Sequence, residues 1–514
     1  MWLAKLFRRR PLDQLVGETT EPQHQLKRVL GPIQLTALGV GAAVGAGIFS
    51  SIGSAVAGGS DHIGAGPAII VSFILVAIAC ALAGFCYAEF ASMVPTSGSA
   101  YTYAYATLGE LIAWIIGWDL VLEYAVGNVA VAVSWSGYFQ ALLHGLGMHW
   151  PGWLGTDYRS ALQGAQQVVH LQATHGDLGS LAADVRAAAE AWTLAPQIGG
   201  LHLVFNVPAF LIVMVLTWIL VLGIRESAWF NAAMVAVKMV IIVFFLAVGA
   251  FYVQPANWSP FSPHGFQGIS SAAAIIFFAY IGFDAVSTAA EETRDPQRNM
   301  PIGILASLVV CTVLYIAVAV VLTGMVKSSE LGTAEPLATA FSARGINWAA
   351  GIVAFGAVVA TTSVLFVFQL GQPRILFSMA RDGLLPAWAA KVHPRFRTPY
   401  VTTILTGILV AGFAGVSNIN EVVELCNIGT LFAFVLVAAG VLVLRWTDPS
   451  RPRPFRTPLV PWVPLGAIAT CAWLMRELPR VTWLRFVYWL IAGLVIYFLY
   501  SFRRSRIGKA AAKA

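Results

Sequence analysis

The stretch that most constrains this chain is Gly39-Val40-Gly41-Ala42-Ala43-Val44-Gly45-Ala46-Gly47-Ile48-Phe49, inside an apolar segment running from about 33 to 56. Its glycines oppose an uninterrupted helix, because each costs roughly 1 kcal/mol relative to Ala. Within a bilayer, unwound backbone persists only where protein buries it or where it lines a watery cavity. Interrupted helices of this kind point to substrate sites in secondary transporters. Small residues also let membrane helices approach closely, so a plain helix contact is the alternative.

The rest of the chain supplies the membrane. Of 514 residues, 58% are hydrophobic and 11% charged, too little charge to cover a water-facing surface. Twelve segments read as spans: 33–56, 67–93, 108–143, 203–223, 229–253, 270–291, 303–326, 347–372, 400–418, 422–444, 458–475 and 483–502. The N-terminus Met1-Trp2-Leu3-Ala4-Lys5-Leu6-Phe7-Arg8-Arg9-Arg10 lacks the long apolar core and cleavage site of a signal peptide. With it inside, most of the 31 Lys and Arg fall on the inner side. Tails at 1–32 and 503–514 are therefore expected in the cytoplasm. The net charge of +7 follows from this asymmetry, and nucleic acid is not implied as a partner. Cys80, Cys86, Cys311, Cys426 and Cys471 all lie in apolar segments and suggest neither disulfides nor a metal site.

Span six, Ile275-Ile276-Phe277-Phe278-Ala279-Tyr280-Ile281-Gly282-Phe283-Asp284-Ala285, repeats the theme of span one, with a glycine and a carboxylate at its centre. Two broken helices five spans apart imply two oppositely oriented five-helix halves, 33–253 and 254–445. Two appended spans occupy 446–502. An insertion at 144–202 falls on the outer side, with helices predicted over 160–171 and 180–192. It carries His144, His149, His170, His175 and His202, but no pair at the i, i+4 spacing of a metal site. A solvated insertion is the plain expectation, and an accessory membrane subunit would find its place there.

No phosphate-cradling G-x-x-x-x-G-K-[ST] motif occurs, which disfavours an ATP-driven pump, and no H-E-x-x-H or G-x-S-x-G suggests an enzyme. Ionisable residues within spans are costly and suspect. Lys238, deep in span five, is expected to face the interior as a fixed cation, a proton carrier or half of an ion pair. Asp119 and Glu123 share one face of span three, and Asp284 follows the glycine of span six. Each could pair with Lys238, relay protons or meet a substrate cation. Glu89 reads as a structural residue near the inner end of span two, and Glu291 and Glu292 as solvated or ion-paired at the inner end of span six.

The substrate receptor is expected to be backbone. The break at Val44, Gly45, Ala46, Gly47 and Ile48 is expected to line the substrate and frees amides around Ala46, Gly47 and Ile48, suited to a carboxylate. That at Phe278, Ala279, Tyr280 and Ile281 frees carbonyls suited to an ammonium group. Together they describe a site for a zwitterionic α-amino acid.

Further motifs carry a resemblance. These are Leu26-Lys27-Arg28-Val29-Leu30 leading into Gly45-Ala46-Gly47-Ile48-Phe49, Cys86-Tyr87-Ala88-Glu89-Phe90-Ala91, and Pro95-Thr96-Ser97-Gly98-Ser99-Ala100-Tyr101. Glu291-Glu292-Thr293-Arg294-Asp295-Pro296-Gln297, Arg381-Asp382-Gly383 and Asn427-Ile428-Gly429-Thr430-Leu431 complete the set. In this order they resemble the cationic amino acid transporter branch of the amino acid–polyamine–organocation superfamily, and bacterial members above all. The resemblance implies an all-α polytopic membrane protein of twelve helices in the plasma membrane. It also implies a LeuT-type five-plus-five inverted repeat that moves amino acids by alternating access.

It implies further that Lys238 occupies the place taken by sodium in other relatives, between spans one and eight. That favours proton symport, with Thr361, Thr362 and Ser363 as neighbours of the ammonium and Glu123 as a second coupling residue. Phe368 matches the position lining the side-chain end of the pocket, where it would exclude arginine and lysine and leave small neutral substrates such as alanine. The proton is the one coupling ion expected; no cofactor or metal is implied. An amino acid or polyamine exchanger and a non-transporting sensor share the same pocket and stay open as alternatives.

Overall fold

A computed structural model describes residues 6–9, 30–59, 62–93, 99–148, 150–173, 183–222, 228–396 and 398–506. Most of the N-terminal tail, the end of the C-terminal tail, Pro95 to Gly98, His149, His175 and the first residues of the predicted 180–192 helix lie outside the described residues.

The first apolar segment begins at α1 (Pro32–Ala43), where the Gly31 amide donates to Gln34 Oε1 at 3.0 Å and Pro32 supplies a φ ready for helix. After a break at 44–46 the chain resumes as a π-helical turn, Gly47–Ser51, and α2 (Ile52–Ala57), bent by 46° from α1. Then come α3 (Ile69–Met93), a short α4 (Ser99–Thr107) for which no span is predicted, and the long α5 (Glu110–Gly145). The insertion contributes α6 (Tyr158–Ala173) and α7 (Ala183–Leu194), followed by α8 (Val207–Val221) and α9 (Ala228–Gly249).

The second broken segment is α10 (Gly265–Ile276), a 3-10 turn at Phe277–Tyr280, and a 3-10 stretch at Asp284–Glu292. Beyond it lie α11 (Pro296–Met325), α12 (Pro336–Ala343), α13 (Asn347–Arg381), α14 (Tyr400–Val416), α15 (Ile419–Thr447), α16 (Trp462–Glu477) and α17 (Arg480–Ile496).

All twelve predicted segments carry helix. Among the described residues, seven helices are long and apolar enough to cross a bilayer, and the bent pair α1–α2 makes an eighth. The apolar helices at 207–221, 265–280 and 400–416 are shorter. Large apolar side chains stand exposed one turn apart on the bundle's outer faces: Leu211 and Val215, Val309 and Val313, Leu484 and Tyr488. Such faces suit lipid.

Packing follows a simple rule. α3 lies against α11, α5 against α13, and α8 against α14, each helix on the one five spans later. The turn Gly47–Ser51 meets Phe277–Tyr280, so the two breaks also touch. α17 is clamped to α5 by reciprocal indole bonds: Trp118 Nε1 donates to the Trp489 carbonyl at 2.8 Å, and Trp489 Nε1 to the Trp118 carbonyl at 3.1 Å.

The insertion is more ordered than a solvated loop requires. α6 and α7 pack together around Ala161, Ala195 and Val204, with Trp192 stacked on His202 at 4.0 Å. A two-strand hairpin, β1 (Gln197–Ile198) and β2 (Leu201–His202), closes it. It turns through Gly199 and Gly200 at φ of 60° and 85°, values only glycine adopts at little cost. Asp157 caps α6, accepting from the Ser160 amide at 2.8 Å and its hydroxyl at 2.6 Å. Burial pushes the Asp157 carboxyl up from its ordinary range, opposed by those bonds. Arg159 pairs with Glu421, and Asn418 Nδ2 donates to Ser160 Oγ at 2.8 Å, fastening the insertion to the start of α15. Among the described residues, no three of His, Cys, Asp and Glu converge as metal ligands.

Candidate substrate and coupling site

The site grows from the two breaks. At Val44 the backbone leaves the helix, at φ −73° and ψ 94°, while its amide still closes the last turn onto Val40 O at 2.9 Å. The amides of Ile48 and Phe49 turn back onto the Gly45 carbonyl at 3.2 and 3.1 Å. This corrects one expectation: the Ile48 N–H is spent within the turn. Among the described residues, the N–H groups of Gly45 and Ala46 have no acceptor, although both residues are buried. Buried amides without partners are rare, and they suit an anionic group brought by a ligand.

The breaks press together without side chains between them. A Cβ on Gly47 would lie 2.2 Å from Ala279 Cα and 2.6 Å from its nitrogen. Gly282, at φ 118°, abuts the Ala42 carbonyl carbon at 2.8 Å by the same measure. At the second break the Phe278 carbonyl accepts the Ile281 amide at 3.3 Å, and Tyr315 Oη donates to the Ala279 carbonyl at 2.7 Å. Tyr280 Oη donates outward, to Phe73 O at 3.2 Å, and the Tyr280 carbonyl meets the Phe283 amide at 3.5 Å. Of the four carbonyls expected to be free, only that of Ile281 has no donor among the described residues. Each carbonyl keeps a second lone pair, so the others remain usable acceptors.

Lys238 is wholly buried. Its Nζ donates to Gly41 O at 2.6 Å, Val44 O at 3.2 Å and Ser363 Oγ at 3.4 Å. An ammonium has three N–H donors, and these oxygens match them in number. The group sits at the carbonyl end of α1, where the helix dipole favours a cation. Val44, expected at the substrate, lends its carbonyl to Lys238 instead.

Of the three consecutive hydroxyls at 361–363 on α13, only that of Ser363 is seen to reach the ammonium. Thr361 Oγ1 donates to Ala357 O at 2.6 Å; Thr362 Oγ1 donates to Val358 O at 2.7 Å and accepts Trp135 Nε1 at 2.8 Å. Consecutive helical residues point about 100° apart, so three in a row cannot face one group.

The carboxylates divide by role. Asp284 Oδ1 accepts the Gly282 amide at 3.1 Å, bracing the turn after the second break. The Glu123 carboxylate engages the Thr430 hydroxyl of α15, with Asp284 and Asp119 as its acidic neighbours. Glu89 is structural: Arg445 donates to its two oxygens at 3.1 and 2.8 Å, the Thr457 amide at 2.7 Å, and Arg453 Nε lies 3.3 Å away. Burial and then the Arg445 charge lower the Arg453 guanidinium from its ordinary value, with Glu89 opposing.

Phe368 lies between α5 and α13, edge-on to Tyr124 with ring centroids 5.5 Å apart, and 3.6 Å from where a Gly127 Cβ would be. Val364, one turn earlier, fills the space beside Gly45. Asn427 is a residue that sequence reasoning left in a motif without a role. Its Nδ2 donates to Ala274 O at 2.8 Å and Ile275 O at 3.0 Å, on the approach to the second break. A buried amide side chain in an apolar span was the available signal.

Comparison with known proteins bears on the family. The amino acid permease family matches residues 30–498. A methylthioribose transporter of Bacillus subtilis is 45% identical over 507 residues, covering 99% of this chain and 100% of that protein. A branched-chain amino acid permease of the same organism is 45% identical over 98% of this chain and 100% of its own length. A vacuolar cationic amino acid transporter of Arabidopsis thaliana is 36% identical over 87% of this chain and 68% of its own.

Proposed function

We propose that this chain, which belongs to the amino acid permease family and is a multi-pass membrane transporter rather than an enzyme, imports neutral amino acids across the plasma membrane by proton symport. The observation that carries this is the first break, where Lys238 takes the carbonyls of Gly41 and Val44 and the amides of Gly45 and Ala46 are left unspent. The amides hold the substrate carboxylate; the carbonyls of the second break, with Ile281 foremost, hold its ammonium group.

Coupling follows from donor counting. The ammonium form of Lys238 satisfies three oxygens and ties α1 to α13 through Ser363. Loss of the proton removes one donor and the charge that the end of α1 favours, which loosens α1 from the bundle. Opening of one side thus goes with a change in proton occupancy, with Glu123 as the second coupling group. Twelve crossings in a five-plus-five inverted repeat fit the packing of α3 on α11, α5 on α13 and α8 on α14, each pair five spans apart. In the same sense Asn427 of span ten binds two carbonyls of span six as Lys238 of span five binds two of span one.

Phe368 closes the side-chain end, so small and branched neutral substrates enter and long cationic ones do not. The branched-chain relative supports that class. The test is uptake of labelled alanine and valine into substrate-free proteoliposomes, with and without an inward proton gradient, competed by arginine and methylthioribose. Gradient-dependent accumulation that neither competitor blocks is expected. Uptake only into preloaded vesicles would mean an exchanger, and binding without uptake a sensor. Competition by methylthioribose, which has neither carboxylate nor ammonium, would defeat the zwitterion site. Phe368→Ser should admit arginine; exclusion of arginine by a variant still taking alanine would remove Phe368 from the pocket.

A further inference from the structure

Asp119 is a buried carboxyl group that this function does not yet use. It lies on α5 one turn before Glu123, fully buried, and neither of its carboxylate oxygens has a hydrogen-bond partner. α15 crosses so closely that a Cβ on Gly429 would be 2.8 Å from Asp119 Oδ1. Next to it on α15, Thr430 engages the Glu123 carboxylate, and Cys426 Sγ donates to the Glu123 carbonyl at 3.5 Å.

The titratable groups around Asp119 are Glu123 on its own helix and Cys426 on α15, with Asp284 of the second break beyond Glu123. Nearby, α17 presents Trp489 to Trp118, while α13 presents Met379 and α4 presents Tyr101 to Gly117. The Tyr101 hydroxyl is given to Asp382 at 2.6 Å. Among the described residues no Lys or Arg pairs with Asp119. An ionised carboxylate wholly buried without donor or cation is costly by several kcal/mol or more. A carboxylic acid at the same place carries no such cost, and Glu123 lies within about 5–6 Å along the helix face.

Resting on the symport reading above, we propose that Asp119 is a proton-carrying residue of the coupling path, exchanging its proton with Glu123. One O–H bond breaks on the carboxyl that gives and one forms on the carboxylate that receives; no other reactant is needed. Along α5, Asp119 lies one turn from Glu123 toward the Glu110 end of the helix, away from Tyr124.

The test uses the full chain in proteoliposomes. Asp119→Asn keeps the shape of the protonated acid but has no proton to release. Substrate counterflow, which needs no net proton movement, should stay within about twofold of wild type, while gradient-driven accumulation and the accompanying proton uptake fall by about a hundredfold. Asp119→Glu, which keeps a titratable carboxyl, should recover proton uptake with a shifted pH profile. In infrared difference spectra across a pH step, wild type should show a protonated carboxylic C=O band that Asp119→Asn lacks.

Accumulation and proton uptake unchanged in Asp119→Asn, or an Asp119→Glu as inactive as Asp119→Asn, would overturn the proposal in favour of simple packing. If wild type itself shows no gradient-driven accumulation, symport fails, and the infrared band alone decides whether Asp119 holds a proton. Its presence keeps the assignment and its absence ends it.

Discussion

Lys238 shows how much one side chain can organise. Its Nζ holds the carbonyls of Gly41 and Val44 at 2.6 and 3.2 Å, so removing it leaves two buried acceptors at the end of α1 without a donor. Each such loss costs about 1–3 kcal/mol. Lys238→Ala is therefore expected to lower the melting temperature in detergent and, more tellingly, to cut gradient-driven accumulation by about a hundredfold while substrate counterflow continues. Sustained accumulation in that variant would show that the coupling proton sits elsewhere. The lysine was visible in sequence as a lone charge in an apolar span. Its partners were not, because backbone carbonyls leave no mark in sequence.

At the scale of elements, the two breaks are held by absence of side chains. Gly47 and Ala279 approach at a distance where even a methyl group meets backbone, 2.2 Å from a Cα. Backbone cannot swing aside as a flexible side chain can, so Gly47→Ala should cost about 1–3 kcal/mol of overpacking. The thermal shift produced by substrate should vanish with it, since separating the breaks separates the carboxylate and ammonium subsites proposed above. A variant that keeps a wild-type thermal shift would mean the substrate does not bridge them. Glycine density announced both breaks in sequence, but not that they face each other across 232 residues, the separation of Gly47 and Ala279.

For the whole molecule, the ion-pair cluster at Glu89 joins α3 to the end of α15 and to the 448–461 connection before α16. Breaking a buried pair by removing one partner costs about 3–5 kcal/mol. Glu89→Gln should lower the melting temperature and expose the connection to proteolysis, checked by limited digestion in detergent. Unchanged digestion would mean that packing alone holds this end together. At the opposite end the insertion grips Asn418 and Glu421 at the start of α15. One helix is thus fastened at both ends while its middle, at Asn427 and Thr430, meets the second broken segment and Glu123.

The sequence by itself determined the membrane class, the twelve helical segments, both breaks, the family and the buried ionisable residues. These follow from apolar length, glycine density and charge, which are properties of short stretches. Tertiary structure alone decided that Ser363 and not its two threonine neighbours meets Lys238, and that the insertion docks on α15. It also decided that Asp119 lies without a partner against Gly429. Each of these depends on how a helix is rotated about its own axis and on partners far away in the chain. A three-in-a-row run of hydroxyls reads alike from every side until packing chooses the one that faces in.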